Sequence, residues 1–180
     1  MELSVCICTH DRPRYVRDCL EGLRAQTVDP SRFEILLVDS GSPSASRMEL
    51  ARLASSLPNI RLIRLAQPGV SVARNAGAAA AAAPYIAFID DDAIPTPNWV
   101  EEILRVTETS LLPPVVLGGT ILPVWEAPLP SWWPQSLTGV LTIVDVPQAG
   151  EYRTASVPEG LAPSGANMVV SVPALRHAGG

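Results

Sequence analysis

Three consecutive carboxylates, Asp90, Asp91 and Asp92, stand directly after the apolar run Tyr85-Ile86-Ala87-Phe88-Ile89. Like charges this close repel one another strongly in a dry environment, so the cluster calls for a cation. Oxygen-only ligands favour a hard ion such as Mg²⁺ or Mn²⁺. The same residues also suit a solvated acidic turn leading into a helix with Pro97 at its first position. Two other polar clusters follow apolar runs in the same way. Thr9-His10-Asp11 follows Leu3 to Cys8, and Asp39-Ser40 follows Glu34 to Val38.

These clusters need a scaffold, and the hydrophobic pattern supplies one. Short apolar runs bounded by turn residues predict strands at Leu3 to Cys8, Glu34 to Val38, Ile60 to Leu65, Tyr85 to Ile89, Val115 to Gly119 and Met168 to Val172. Tyr15, Val16, Cys19, Leu20 and Leu23 recur at helical spacing after Pro13, and Met48, Leu50, Leu53 and Leu57 do so before Pro58. A third helix is expected over Val70 to Ala83, where six consecutive alanines combine high propensity with no bulk and suit close approach to a sheet. A fourth is expected from about Pro97 to Thr107, and a last one from Pro173. Strands alternating with helices predict an α/β fold, a Rossmann-like and mostly parallel sheet with helices on both faces. All three polar clusters then fall on the C-terminal edge of the strands, where open α/β sheets bind ligands. Neither a Walker lysine loop nor a G-x-G-x-x-G stretch follows the first strand, which weakens ordinary P-loop and dinucleotide readings.

Composition narrows the class. With 180 residues, 47% apolar and 17% charged, the chain is globular and long enough for one sizeable core. A net charge of −5 argues against nucleic acid as the main partner. Cys6 and Cys8 alternate within an apolar strand, which reads as buried free thiols in a reducing, cytoplasmic compartment. No signal peptide is visible. Pro84 breaks the longest apolar stretch, Ala76 to Ile89, short of a transmembrane span. After residue 119 the character shifts to a segment rich in proline, with Trp125, Trp132 and Trp133. The expected division is therefore 1–119 and 120–180.

Taken together, the stretches SVCICTHDRP, EILLVDSGS, GVSVARNAG, FIDDDAIPTPNW and GANMVV resemble, in order, the motifs of the family 2 glycosyltransferases of GT-A fold. The resemblance implies transfer of a sugar, with inversion, from a nucleoside-diphosphate sugar, typically uridine-linked, to a saccharide or lipid-linked hydroxyl acceptor. It casts 1–119 as the nucleotide-sugar-binding part and 120–180 as an incomplete acceptor side. Thr9, Asp11, Asp39, Ser40, Arg74, Asp90 and Asp91 would bind the nucleotide, with Asp39 facing the base and Arg74 the diphosphate. Asp90 and Asp92 would hold Mn²⁺ or Mg²⁺. His10 would line the pocket.

Trp132, Trp133 and Asn167 are acceptor-side candidates by the same resemblance. The tryptophans suit sugar stacking and also suit plain packing of an irregular loop. The family's catalytic base follows a Gly-Gly-Phe whose Phe would come directly after Gly180, so no base is identified within the chain and it is expected beyond that residue; Glu151 and Glu159 do not match that motif. Apolar surface is accordingly expected at Met168, Val169, Val170 and Leu175. Peripheral contact with the inner face of a membrane stays open. The competing readings are a nucleotide-sugar-binding module without turnover and a metal-dependent nucleotidyltransferase. The second would ordinarily carry a glycine-rich basic loop after the first strand, and THDRPR has no glycine.

Overall fold

The computed structural model describes residues 1–134, 142–145 and 163–179. Among them, one sheet runs in the order β3-β2-β1-β4-β6-β5. Its strands are β1 (Leu3–Thr9), β2 (Phe33–Ser40), β3 (Ile60–Leu65), β4 (Tyr85–Asp90), β5 (Val116–Gly118) and β6 (Asn167–Ser171). The first four pair in parallel, and β6 runs antiparallel to both β4 and β5. The α/β expectation, mostly parallel with helices on both faces, holds.

Alternation along the strands divides the core in two. Leu3, Val5, Ile7, Ile35, Leu37, Ala87, Ile89 and Val169 pack on one face. Against them lie α1 (Pro13–Arg24), α2 (Ser44–Ala54) and α4 (Trp99–Thr109) through Val16, Leu20, Leu50, Val100 and Ile103. On the other face Cys6, Leu36, Val38, Ile86, Phe88 and Val170 meet α3 (Val70–Ala80) and α5 (Val172–His177). The chain leaves β1 toward β2 on one side and reaches β4 on the other, which puts the reversal of strand order between β1 and β4.

Helix α3 stops three residues short of the expected Ala83, and the reason is distant in sequence. Glu34 is buried inside β2 and accepts hydrogen bonds from the Ser4 hydroxyl (2.7 Å) and the Ala82 amide (2.9 Å). The Ala83 amide donates to the Ser4 hydroxyl oxygen (3.2 Å), and Arg61 lies 3.2 Å from the second Glu34 oxygen. This polar staple draws residues 81–83 out of the helix against their alanine propensity. Helix α4 likewise starts at Trp99 and not at Pro97, whose carbonyl accepts from the Thr27 amide (2.8 Å).

The expected apolar exposure around β6 is corrected too. Val169 and Val170 are buried in the first and second clusters on opposite faces of the sheet, β5 pairs with the outer edge of β6, and Met168 and Leu175 pack onto the second cluster. Exposed apolar side chains occur instead at Leu111, Leu112, Val115, Leu122 and Val124.

The close seating of α3 depends on Gly77. A Cβ there would stand 2.3 Å from the Cys6 sulfur, while its next neighbours lie at ordinary distances of 3.5 and 3.6 Å. Gly77→Ala is expected to cost about 1–3 kcal/mol by overpacking. Combining it with Cys6→Ala should recover most of that loss, because the sulfur is the obstructing atom. Chemical denaturation of the two single variants, the double variant and the parent checks this; equal losses in both backgrounds would point to another neighbour.

Candidate functional site

The polar strand ends meet in register. Thr9 is paired with Asp39 across β1 and β2, and Cys8 with Asp90 across β1 and β4. The edge is thus lined by the ends of three adjacent parallel strands on either side of the switch in strand order.

Beyond β1 the chain turns sharply. Asp11 adopts a left-handed conformation (φ 56°), which aspartate tolerates better than most residues. Its amide donates to the Ser42 hydroxyl oxygen (2.9 Å), and its carboxylate accepts from Ser46. The His10 ring lies 2.7 Å from the Ser40 carbonyl. Ser40 in turn accepts from the Gly69 amide (2.9 Å), fixing the start of α3 against β2. After β2, Gly41 (φ 74°) brings the chain so near Pro68 that a Cβ would fall 2.7 Å from its nitrogen.

Asp39 is fully buried, and its two oxygens differ. Oδ1 accepts from the Ser42 amide (3.0 Å). Oδ2 lies 3.5 Å from Arg47 Nε, near enough to attract, yet neither atom makes a hydrogen bond. An unmatched buried carboxylate oxygen is costly and unusual.

The three carboxylates after β4 also separate by environment. Asp91 is buried with both oxygens engaged, by the Thr9 hydroxyl (2.7 Å) and by Arg12 Nη1 (2.8 Å). Burial pushes its carboxyl up from the ordinary aspartate range, while Thr9 and Arg12 pull it back. Asp90 and Asp92 are half exposed. Asp90 Oδ1 meets Arg74 Nη2 at 3.2 Å, and Asp92 Oδ2 meets Arg12 Nη2 at 2.7 Å. The second oxygen of each makes no hydrogen bond among the described residues. No group of three His, Cys, Asp or Glu side chains arranged for a metal occurs among those residues either. The cysteines are free, with Cys6 and Cys8 sulfurs 3.8 Å apart.

Every nucleotide and metal candidate named from the sequence therefore lies on this edge: Thr9, Asp11, Asp39, Ser40, Arg74, Asp90, Asp91 and Asp92. Asn167 opens β6 opposite Ile89, and both polar atoms of its side-chain amide make hydrogen bonds. Its oxygen accepts from the Trp99 indole (3.0 Å), and its nitrogen donates to the Thr120 carbonyl (3.2 Å). Trp132 is exposed, with the Trp133 ring 6.0 Å away and tilted. Their loop is tied to α1 by Arg14 and Glu126 at 3.2 Å. Glu151 and Glu159 fall outside the described residues.

Sequence reasoning missed Arg12, which forks onto Asp91 and Asp92. The available signal was a lone cation beside Asp11 at the end of β1, facing an acidic cluster that needed one. It also missed Gly165, where a Cβ would lie 2.4 Å from the Arg74 guanidinium.

The fold is that of the GT-A glycosyltransferases. Staphylococcus aureus TarS (residues 1–349), solved with UDP-GlcNAc, superposes with a TM-score of 0.63 at 20% identity over 73% of this chain and 37% of that one. The mannosyltransferase PcManGT from Pyrobaculum calidifontis, solved with GDP-Man and Mn²⁺, gives 0.50 at 21% identity over 54% and 29%. Residues 4–111 match Glycosyl transferase family 2, and the chain belongs to that family. The glucosyl-dolichyl phosphate glucuronosyltransferase of Haloferax volcanii is 30% identical over 141 residues, 75% of this chain and 43% of that protein. The putative glycosyltransferase EpsH of Bacillus subtilis is 35% identical over 61% of this chain and 32% of its own length. The chain thus spans less than half of these relatives. No helix among the described residues is long and apolar enough to cross a membrane.

Thr9→Val keeps the shape of the side chain and removes one of the two donors to Asp91. A hydrogen bond to a buried charge contributes about 1.5–3 kcal/mol, so a loss of that size in urea unfolding is expected. A change below about 0.5 kcal/mol would mean that Arg12 alone satisfies Asp91.

Proposed function

We infer that this chain carries the donor-binding part of a sugar transferase that takes a nucleoside-diphosphate sugar, uridine-linked, together with a divalent cation. The single observation that carries the reading is the unmatched Asp39 oxygen on an edge that also presents Asp90 and Asp92, in a chain of this family. A pyrimidine ring N–H is the donor that Asp39 Oδ2 lacks. Arg47, more than a third exposed, swings aside to admit it. Thr9, Asp11 and Ser40 shape the pocket around the base and ribose, and Asp91 serves from beneath by holding Arg12.

Arg74 directs Nη2 to Asp90 and rests against Gly165, which aims it over the edge for a diphosphate. Asp90 and Asp92 suit Mn²⁺ or Mg²⁺, since each retains an oxygen without a hydrogen bond among the described residues and the donor set is all oxygen. When bound, such an ion neutralises charge developing on the departing nucleoside diphosphate. Residues 120–180 form the acceptor side for a saccharide or lipid-linked hydroxyl. Trp132 and Trp133 offer aromatic faces to it, and Asn167 works through the Trp99 and Thr120 contacts that shape that wall. The Haloferax relative, named for a glucosyl-dolichyl phosphate, supports the lipid-linked alternative.

Calorimetry with UDP, run with Mn²⁺ and again with a chelator, is expected to show binding that weakens at least tenfold when the metal is removed. Asp92→Ala should reproduce that loss without chelator. Equal affinity in all three cases contradicts the reading.

Asp39→Ala, titrated with UDP, CDP and GDP, is expected to flatten the preference among bases. The buried Ser42 amide it leaves without a partner costs the fold about 1–3 kcal/mol. Selectivity that survives alongside a large drop in Tm would assign Asp39 to the fold alone.

A further inference from the structure

We propose that Arg12 is the resident cation of this edge, holding Asp92 in competition with a divalent ion and thereby setting how tightly the ion binds. The inference rests on the reading of Asp90 and Asp92 as the carboxylates that take the metal. Three contacts hold the Arg12 guanidinium. Nη1 donates to Asp91 at 2.8 Å, Nη2 donates to Asp92 at 2.7 Å, and the guanidinium carbon lies 4.4 Å from the centre of the Tyr15 ring. Its backbone is fixed as well, since the Arg12 carbonyl accepts from the Val16 amide in the first turn of α1.

The two arms of this fork are unequal. Asp91 has a side chain only 6% exposed, so its bond to Nη1 forms away from water and is strong. Asp92 is 46% exposed, and an ion pair so open to solvent shifts an equilibrium by only about two- to fivefold. Exchanging the Nη2 arm for a metal ion is therefore cheap, and the Asp91 arm stays in place during the exchange. A divalent ion on Asp92 then faces a guanidinium that cannot leave. Like charges at that range oppose each other even with substantial screening. Bare metal binds weakly as a result. A diphosphate lowers the opposition by placing negative charge beside both cations, so metal and nucleotide are coupled through Arg12.

The test measures Mn²⁺ binding without nucleotide, from the electron paramagnetic resonance signal of the free ion. The proteins are the parent chain, Arg12→Lys, Arg12→Met and Asp92→Asn. Lysine keeps a charge for Asp91 but cannot fork onto both carboxylates, so the variant retains its fold. Arg12→Lys is expected to bind Mn²⁺ about two- to fivefold tighter than the parent. Arg12→Met, where it folds, should bind tighter still, and Asp92→Asn should lose the site. Coupling between Mn²⁺ and UDP should shrink in both Arg12 variants. Unchanged or weaker Mn²⁺ binding in Arg12→Lys overturns the proposal and makes Arg12 an organiser of the metal site. Mn²⁺ binding that ignores Asp92→Asn overturns it by placing the ion elsewhere. Failure of UDP to bind any of the four proteins, with the Arg12 effect on Mn²⁺ intact, tells against the nucleotide reading alone.

Discussion

A carboxylate buried at the end of a central strand must be satisfied or the edge around it cannot hold, and Asp91 is that carboxylate. Removing such a group from water costs several kcal/mol. The bonds from Thr9 and Arg12 return about 1.5–3 kcal/mol each. Its carboxyl nonetheless sits above the ordinary range, so burial still outweighs the two donors. The consequence is geometric. Thr9 ends β1, Arg12 precedes α1, and both are drawn onto the end of β4, which closes the gap where the strand order reverses. Asp90 and Asp92, flanking the buried residue, are thereby turned toward solvent.

The opposite end of the sheet is held by a second buried acid. Glu34 gathers Ser4, Ala82 and Arg61, and so fixes where α3 stops and β4 starts. Between these two polar clamps α3 lies against β1 and β2 with nothing larger than Gly77 over Cys6. Its position decides where Arg74 emerges, four residues after the start of the helix. The phosphate candidate is therefore positioned by packing at the far side of the sheet as much as by its own ion pair with Asp90.

Much of this was legible in the sequence because the signals are local. Three short apolar runs that end in polar residues mark parallel strands and their candidate ligand edge without any knowledge of tertiary contacts. Thr9, Asp39 and Asp90 were found from that pattern alone. What was not legible depends on partners far apart in the chain. The end of α3 is set by Ser4 and Glu34, which override the helix propensity of Ala81, Ala82 and Ala83. The contacts of Asn167 with Trp99 and Thr120, 68 and 47 residues away, could not be read from its place in the sequence. Arg12 is joined to Asp91 and Asp92 across 79 and 80 residues, and no spacing rule reports such a pair.

The edge shows a charge pattern that bears on how a ligand would enter. Arg47 lies over Asp39, Arg74 over Asp90, and Arg12 over Asp91 and Asp92. Each arginine is already committed to a carboxylate. An anionic ligand arriving alone would have to strip an arginine from its acid and leave that acid bare, which costs much of what the new pair gains. A cation arriving alone meets carboxylates that are already largely paired, with Arg12 shared between Asp91 and Asp92. On the proposed reading, a diphosphate and a divalent ion arriving together would avoid both losses, because the ion would take carboxylate oxygens while the phosphates take arginines. The exchange conserves charge pairing at every step. On the proposed reading, an edge of alternating acids and arginines would disfavour either half of the ligand and favour the neutralised pair, giving selectivity for the metal–nucleotide complex over its parts.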